Sequence, residues 1–256
     1  LELMARGGAR RSVWLKVDTG MRRLGFAPEH LERACERLAG QKLLGLMTHF
    51  SCADDADSEE TANQLQRLHA VSQTLRKSHP AFSVLSAANS AAIIAHEEAS
   101  LDWVRPGLML YGASPMLDLK PNPRLAPAMH FTAPVIAVHQ VKAGTSVGYG
   151  GIWTADTDTR IAVIAAGYGD GYPREIGVGT EVLLGAERRE IVGRVSMDLL
   201  CVRLEPDDQA PIGEHVALWG PGLPIEEVAR SAGTIPYTLM TGISARVRRV
   251  VMGDRR

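Results

Sequence analysis

A chain of 256 residues with 45% hydrophobic and 22% charged residues has room for one large domain or two modest ones and the composition of an ordinary soluble globule. A formal net charge of −1 and a pI near 6.8 leave no basic surplus for nucleic acid or an anionic membrane, and no run approaches the roughly 18 apolar residues of a membrane span. Three cysteines, Cys35, Cys52 and Cys201, show no CxxC spacing, which points to a reducing, cytoplasmic compartment and away from a disulfide framework or a metal site.

The N-terminal LELMARGGARR has no apolar stretch of the kind a secretory leader needs, and it does not begin with Met. Ser12–Val17 then reads as a buried strand and Pro28–Leu38 as a helix. Leu43–His49 is strand-like. Ser58–Lys77 has the pattern of a long helix, apolar on one side and rich in Glu, Gln and Arg on the other. A short strand at Ser83–Leu85, a short helix at Asn89–His96 and a strand followed by a loop over Trp103–Tyr111 continue the alternation. Strands and helices in this order imply parallel β/α units. Residues 118–128 carry three prolines and break the pattern, which places a domain boundary near Arg124. Beyond it the period becomes that of strands: Phe131–Val141, Arg160–Ala165, Glu181–Leu184, Leu199–Leu204 and Glu214–Trp219, separated by Gly-rich turns. Ile225–Ser231 reads as a helix and Ala245–Met252 as a closing strand. The expected architecture is α/β over residues 1–124 and β-rich over residues 125–256.

Five clusters carry more polar chemistry than a core requires. In KVDTGMRRLGF, Lys16, Asp18, Arg22 and Arg23 follow a strand, where parallel α/β folds place their sites; a solvated loop would carry the same charges. His49 in THF reads by itself more as a structural histidine than as a catalyst. Asn89 and Ser90 in ANSA suit a phosphate or a plain helix cap. Arg105, inside the apolar run VRPGLMLYG, must find a partner or a ligand, because an unpaired buried charge is costly. The densest cluster is GYG at 148–150, GYGDGYPR at 167–174 and GRVSMD at 193–198. Three of the five tyrosines in the chain lie there, next to glycines, a placement that favours a site over packing.

Taken in order with IPYTLMTGISARV, these motifs resemble alanine racemase from Val13 to Arg248. The ordered pair GYGDGYPR and GRVSMD is the most specific part of the match. The resemblance implies a TIM-type (β/α)8 barrel, here only in part, followed by a β-rich domain. It also implies a pyridoxal 5'-phosphate cofactor, interconversion of L- and D-alanine for peptidoglycan, and a homodimer that shares its site across the interface, with no nucleic acid or membrane partner.

Removing an α-proton from one face and returning one to the other needs two opposed acid/base groups, which the family supplies as a Lys and a Tyr. Tyr149 matches the tyrosine. Arg105 matches the arginine that faces the pyridine nitrogen and His49 the histidine beside the ring. Asn89 and Ser90, the backbone of Gly107 and Leu108, and the Tyr237 phenol match the phosphate-binding set. Arg23 would contact the cofactor oxygen and the substrate carboxylate, which the Met197 amide would also bind. Lys16 matches a lysine that is carbamylated in many members. Tyr168, Asp170, Arg174, Arg194 and Asp198 match the entrance channel.

The family's cofactor lysine lies in a segment resembling AVxKANAYGHG, and no such segment occurs among the 256 residues. The five lysines are Lys16, Lys42, Lys77, Lys120 and Lys142, and none of the other four takes its place. About 250 residues make a full barrel, so the expectation is a C-terminal portion of a racemase that is inactive by itself. Two other readings stand beside it: a retained non-catalytic binding or dimerisation module, and a related pyridoxal-phosphate decarboxylase.

Overall fold

The computed structural model describes residues 10–253; the leader reading of Leu1–Arg11 falls mostly outside them. The chain divides into two compact units, one running to Met109 and including Pro115–Leu117, the other formed by Leu110–Ser114 and the chain from Asp118 onward.

In the first unit, β1 (Ser12–Lys16), β2 (Lys42–Met47) and β3 (Leu85–Ser86) form a parallel sheet in that order. The crossovers are helices α1 (Leu31–Arg37) and α2 (Glu60–Leu75), and α3 (Ser90–Ala95) follows β3. This is the β/α alternation expected of a barrel. Leu15, Val17, Leu46, Leu68 and Phe82 fill the layer between sheet and helices, each at most 3% exposed. Apolar burial of this kind is the main driving force for the unit.

Trp103–Tyr111 is not a strand. Trp103 makes a single parallel bridge to Ser86, and the Arg105 amide donates to the Ala88 carbonyl. Pro106 then offers no N–H to a ladder, and Leu108–Tyr111 closes into a 3-10 turn. The expected strand at Ser83–Leu85 is likewise displaced: Pro80–Ser83 is a 3-10 turn and pairing begins at Leu85.

The second unit is built on a closed six-stranded barrel in the order β10-β7-β4-β11-β8-β9. Its strands are β4 (Phe131–Val141), β7 (Thr159–Ile164), β8 (Glu181–Leu184), β9 (Glu187–Val192), β10 (Leu200–Leu204) and β11 (His215–Trp219), and β5 (Ser146–Val147) and β6 (Trp153–Thr154) make a side hairpin. Closure leaves no unpaired barrel edge. Helices α4 (Ile225–Ser231) and α5 (Pro236–Gly242) follow.

The expected closing strand at Ala245–Met252 does not form. Val247 turns back onto the Ser244 carbonyl, Arg246 leaves for two carboxylates, and Val251 and Met252 stand 95% and 87% exposed.

Candidate active site

Lys16 ends β1, and the loop after it returns to the strand. The Asp18 amide donates to the Phe26 carbonyl and the Phe26 amide to the Lys16 carbonyl, both at 2.9 Å. Asp18 Oδ1 accepts from the Gly20 and Arg22 amides at 2.9 and 3.0 Å, and these bonds hold its carboxyl below the usual carboxylate range. The turn forces Arg22 to φ +55°, left-handed for a residue with a Cβ. Replacing Arg22 with glycine is therefore expected to stabilise the first unit by up to about 1 kcal/mol, the left-handed penalty minus glycine's extra chain entropy. Thermal melts check this; a lower melting temperature would mean that the Arg22 side chain contributes more than its backbone costs. Arg23 follows on the exposed side of the loop.

Arg105 reaches the ends of β2 and β3. Its guanidinium donates to the Ser86 hydroxyl and to the carbonyls of Thr48 and Ala87, the last at 3.0 Å, and approaches His49 Nδ1 at 3.5 Å. Every one of these acceptors is neutral, and no ion pair is formed by Arg105, Arg23 or Lys16 among the described residues. Burial, then Arg23 and Arg105, lower the Lys16 pKa. Burial, then Arg105, Lys16 and Arg23, lower that of His49. His49 is thus held neutral, in the state in which Nδ1 can accept from arginine. Lys16, Arg23, His49 and Arg105 form one electrostatic cluster whose donors outnumber its anions.

Beside it, the Ser90 hydroxyl, 2% exposed, accepts from the Gly107 amide at 2.7 Å and the Met109 amide at 3.3 Å. A Cβ on Gly107 would meet nothing but that hydroxyl, at 3.8 Å, so the backbone there faces open space. Asn89 caps α3 through Oδ1 to the Ala92 amide at 3.0 Å, and Leu108 is buried. This donor set fits a phosphorylated, ring-containing cofactor. The Ser90 hydroxyl, which accepts from two amides, keeps its own proton to donate, the backbone at Gly107 faces open space, and Arg105 has no carboxylate partner, features that a phosphate and a ring acceptor would use. Asn89 itself serves the helix.

In the second unit, the motif glycines are explained by close approach. A Cβ on Gly167 would lie 2.2 Å from the Ser196 carbonyl oxygen and 2.5 Å from that of Met197; one on Gly193 would lie 2.7 Å from the Val147 carbonyl oxygen. The Tyr168 and Gly169 amides donate to the Ser196 and Met197 carbonyls at 3.1 and 2.8 Å. GYGDGYPR therefore lies directly on GRVSMD, and GRVSMD on the GYG turn. Tyr149, between Gly148 and Gly150 at φ +76° each, is 70% exposed, and Tyr168, Met197 and Tyr237 are also exposed. Arg174 and Tyr168 line a groove of about 400 Å3 with Thr234 and Thr238. Arg194 is half-buried beside Gly148.

Arg246, absent from the candidates read off the sequence, joins Asp170 and Asp198 at 2.8 Å each. Its only signal was a charge inside an apparent strand. Tyr172 corrects the reading of the clustered tyrosines as site residues. It is fully buried and stacks on Trp219 at 6.1 Å between centroids, so it packs the barrel.

Comparison with known proteins accounts for both units. Residues 1–115 match the model for the alanine racemase N-terminal domain and residues 128–251 that for its C-terminal domain. The chain is 47% identical over 241 residues to the alanine racemase of Shewanella amazonensis, covering 92% of this chain and 65% of that protein. It is 45% identical over 245 residues to that of Hahella chejuensis, covering 94% and 65%. It thus spans about two thirds of the length of these relatives. Among solved structures, the biosynthetic alanine racemase from Pseudomonas aeruginosa superposes with a TM-score of 0.86 at 42% identity, over 97% of this chain and 69% of that one. The enzyme from Streptomyces coelicolor gives 0.89 at 34% identity, over 96% and 68%. The chain belongs to the alanine racemase family.

Proposed function

We propose that this chain contributes to the pyridoxal-phosphate-dependent interconversion of L- and D-alanine. Arg105 carries the reading: a half-buried guanidinium at the strand ends with only neutral partners. Pyridoxal phosphate, when bound, supplies a conjugated electron sink that makes the α-proton of an attached amino acid removable. Ser90, with the backbone of Gly107 and Leu108, would hold the phosphate. Arg105 would face the ring nitrogen, and because a guanidinium keeps its own protons it would donate there and give up none, which would restrain transamination. His49, neutral, would lie beside the ring. Arg23 would bind the substrate carboxylate, and a carbamate on Lys16 would orient Arg23. Tyr149, from a second copy of the chain, would exchange the α-proton on one face. Tyr168, Asp170, Arg174, Arg194 and Asp198 would line the approach, Asp170 and Asp198 through their shared Arg246. Three free cysteines suit a reducing, cytoplasmic compartment, and the family likeness carries over a homodimer that supplies D-alanine for peptidoglycan.

The test joins the cofactor-lysine segment of a relative to this chain and follows D-alanine with D-amino-acid oxidase. Racemisation that needs pyridoxal phosphate is expected, and Tyr149→Phe is expected to lower it by roughly 100- to 10,000-fold, the usual contribution of one acid/base group. Release of CO2 in place of D-alanine would move the chain to the decarboxylases, and an inert chimera that still dimerises would favour the non-catalytic module.

A further inference from the structure

Helix α2 carries Glu60, Gln64 and Arg67 at positions i, i+4 and i+7, one stripe of a helix surface. By sequence this is the solvated side. In the fold it faces the two loops that carry Arg23 and His49. Gln64 is 0% exposed and uses both ends of its amide. Nε2 donates to the His49 carbonyl at 3.1 Å and to Thr19 Oγ1 at 3.2 Å, while Oε1 accepts from the Ser51 amide at 2.9 Å and the Ser51 hydroxyl at 3.1 Å.

The protons then run in one direction. Thr19 and Thr48 hydroxyls lie 2.7 Å apart, and Thr48 donates to the Val17 carbonyl at 3.0 Å, so Thr19 donates to Thr48. Such a chain strengthens each of its bonds. Arg67 donates to the Thr19 carbonyl at 2.7 Å and to Glu60 at 2.8 Å. Gly20 permits the approach: a Cβ there would lie 2.7 Å from Glu60 Oε1 and 2.9 Å from Arg67 Nη1. The Thr48 carbonyl, one residue from the atom Gln64 holds, is also an acceptor of Arg105.

We propose that Gln64 is a positioning residue, fixing the Thr19 and His49 loops so that His49, Arg105 and Arg23 stand where a cofactor is received. The proposal rests on the cofactor reading above. Its support is the choice of partners: every hydrogen bond of a fully buried amide goes to one of two loops that carry site residues.

The test compares the chain with Gln64→Leu and with Thr19→Val, a near-isosteric change that breaks the same link. NMR of ring-labelled histidine, assigned by loss of the signal in His49→Gln, follows the His49 titration; Lys16, Arg23 and Arg105 are the charges facing it. In folded Gln64→Leu the midpoint is expected to rise toward the ordinary histidine value as the ring gains solvent and loosens from its cationic surroundings. Affinity for pyridoxal phosphate is expected to fall about tenfold, the effect of losing roughly one well-made hydrogen bond. Thr19→Val moves both in the same direction by less, and it carries the test if Gln64→Leu does not fold. An unmoved His49 titration in a folded variant overturns the proposal, because loss of stability alone leaves that midpoint where it was. A parent chain that does not bind pyridoxal phosphate, with His49 shifting in the variant, overturns the cofactor reading and leaves the positioning role standing.

Discussion

Replacing Arg105 with methionine is expected to destabilise the first unit by about 3–5 kcal/mol and to weaken pyridoxal phosphate binding by about 100-fold or more. The stability loss comes from what the guanidinium leaves behind. Thr48, Ser86 and Ala87 are 1%, 2% and 0% exposed, and water cannot readily take over the bonds Arg105 gave them. Each orphaned acceptor costs about 1–3 kcal/mol. Methionine fills most of the volume, so the measured loss reports hydrogen bonds more than a cavity. Arg105→Lys is the control: it keeps the charge but not the planar fork that reaches several acceptors at once, and it should fall between the two. Denaturant unfolding read from a first-unit probe such as Trp14 measures the cost. A loss under about 1 kcal/mol would show that the strand ends hold without Arg105.

The parts of the fold legible in the sequence were those set by local pattern. SVWLKV and LLGLM are short, mostly apolar runs that become neighbouring parallel strands with Leu15 and Leu46 in the core, and the helix Ile225–Ser231 matches its apolar spacing. What stayed hidden depends on distant partners. ERREIV becomes β9 by pairing with β8 and β10, and its charges are met by distant partners, Arg189 by Asp208 and Arg188 by Glu181 and Glu227. ARVRRVVM alternates like a strand, but Arg246 is drawn to Asp170 and Asp198 instead.

The candidate site divides the same way. Arg105 stood out because a charge in an apolar run is locally anomalous. Gln64 did not, because a glutamine on a helix looks solvated until the loops that cover it are placed. The tyrosines misled for the converse reason: glycines beside Tyr172 serve the backbone approach of Gly171 to Gly242 and Ile243, while the ring itself is core.

The 256-residue chain, purified and supplied with pyridoxal phosphate, is expected to racemise alanine at least about 1,000-fold more slowly than a chimera carrying the family's lysine segment, the usual weight of a missing acid/base group. Inversion needs a proton taken from one face and another delivered to the opposite face, and Tyr149 is the residue proposed above for one face. The second group must be a lysine for the family's chemistry, and the chain's five can be followed individually. Lys120 pairs with Asp118 and Lys142 with Asp158, both exposed on the second unit. Lys42 opens β2, at the end of the strand away from the cluster, and Lys77 lies just beyond α2. Lys16 alone faces the cationic cluster. Its lowered pKa, set by burial and by Arg23 and Arg105, leaves more of it as the free amine that attacks CO2 than an ordinary exposed lysine would have, in keeping with a carbamate that orients Arg23. A small primary amine added to the solution supplies a mobile base in place of the missing lysine, and partial recovery of turnover is expected from it. Turnover by the unaided chain at the chimera's rate would sink this account. Borohydride trapping followed by peptide mapping would then show which of the five lysines takes the cofactor, with Lys16→Arg as the first variant to lose the label.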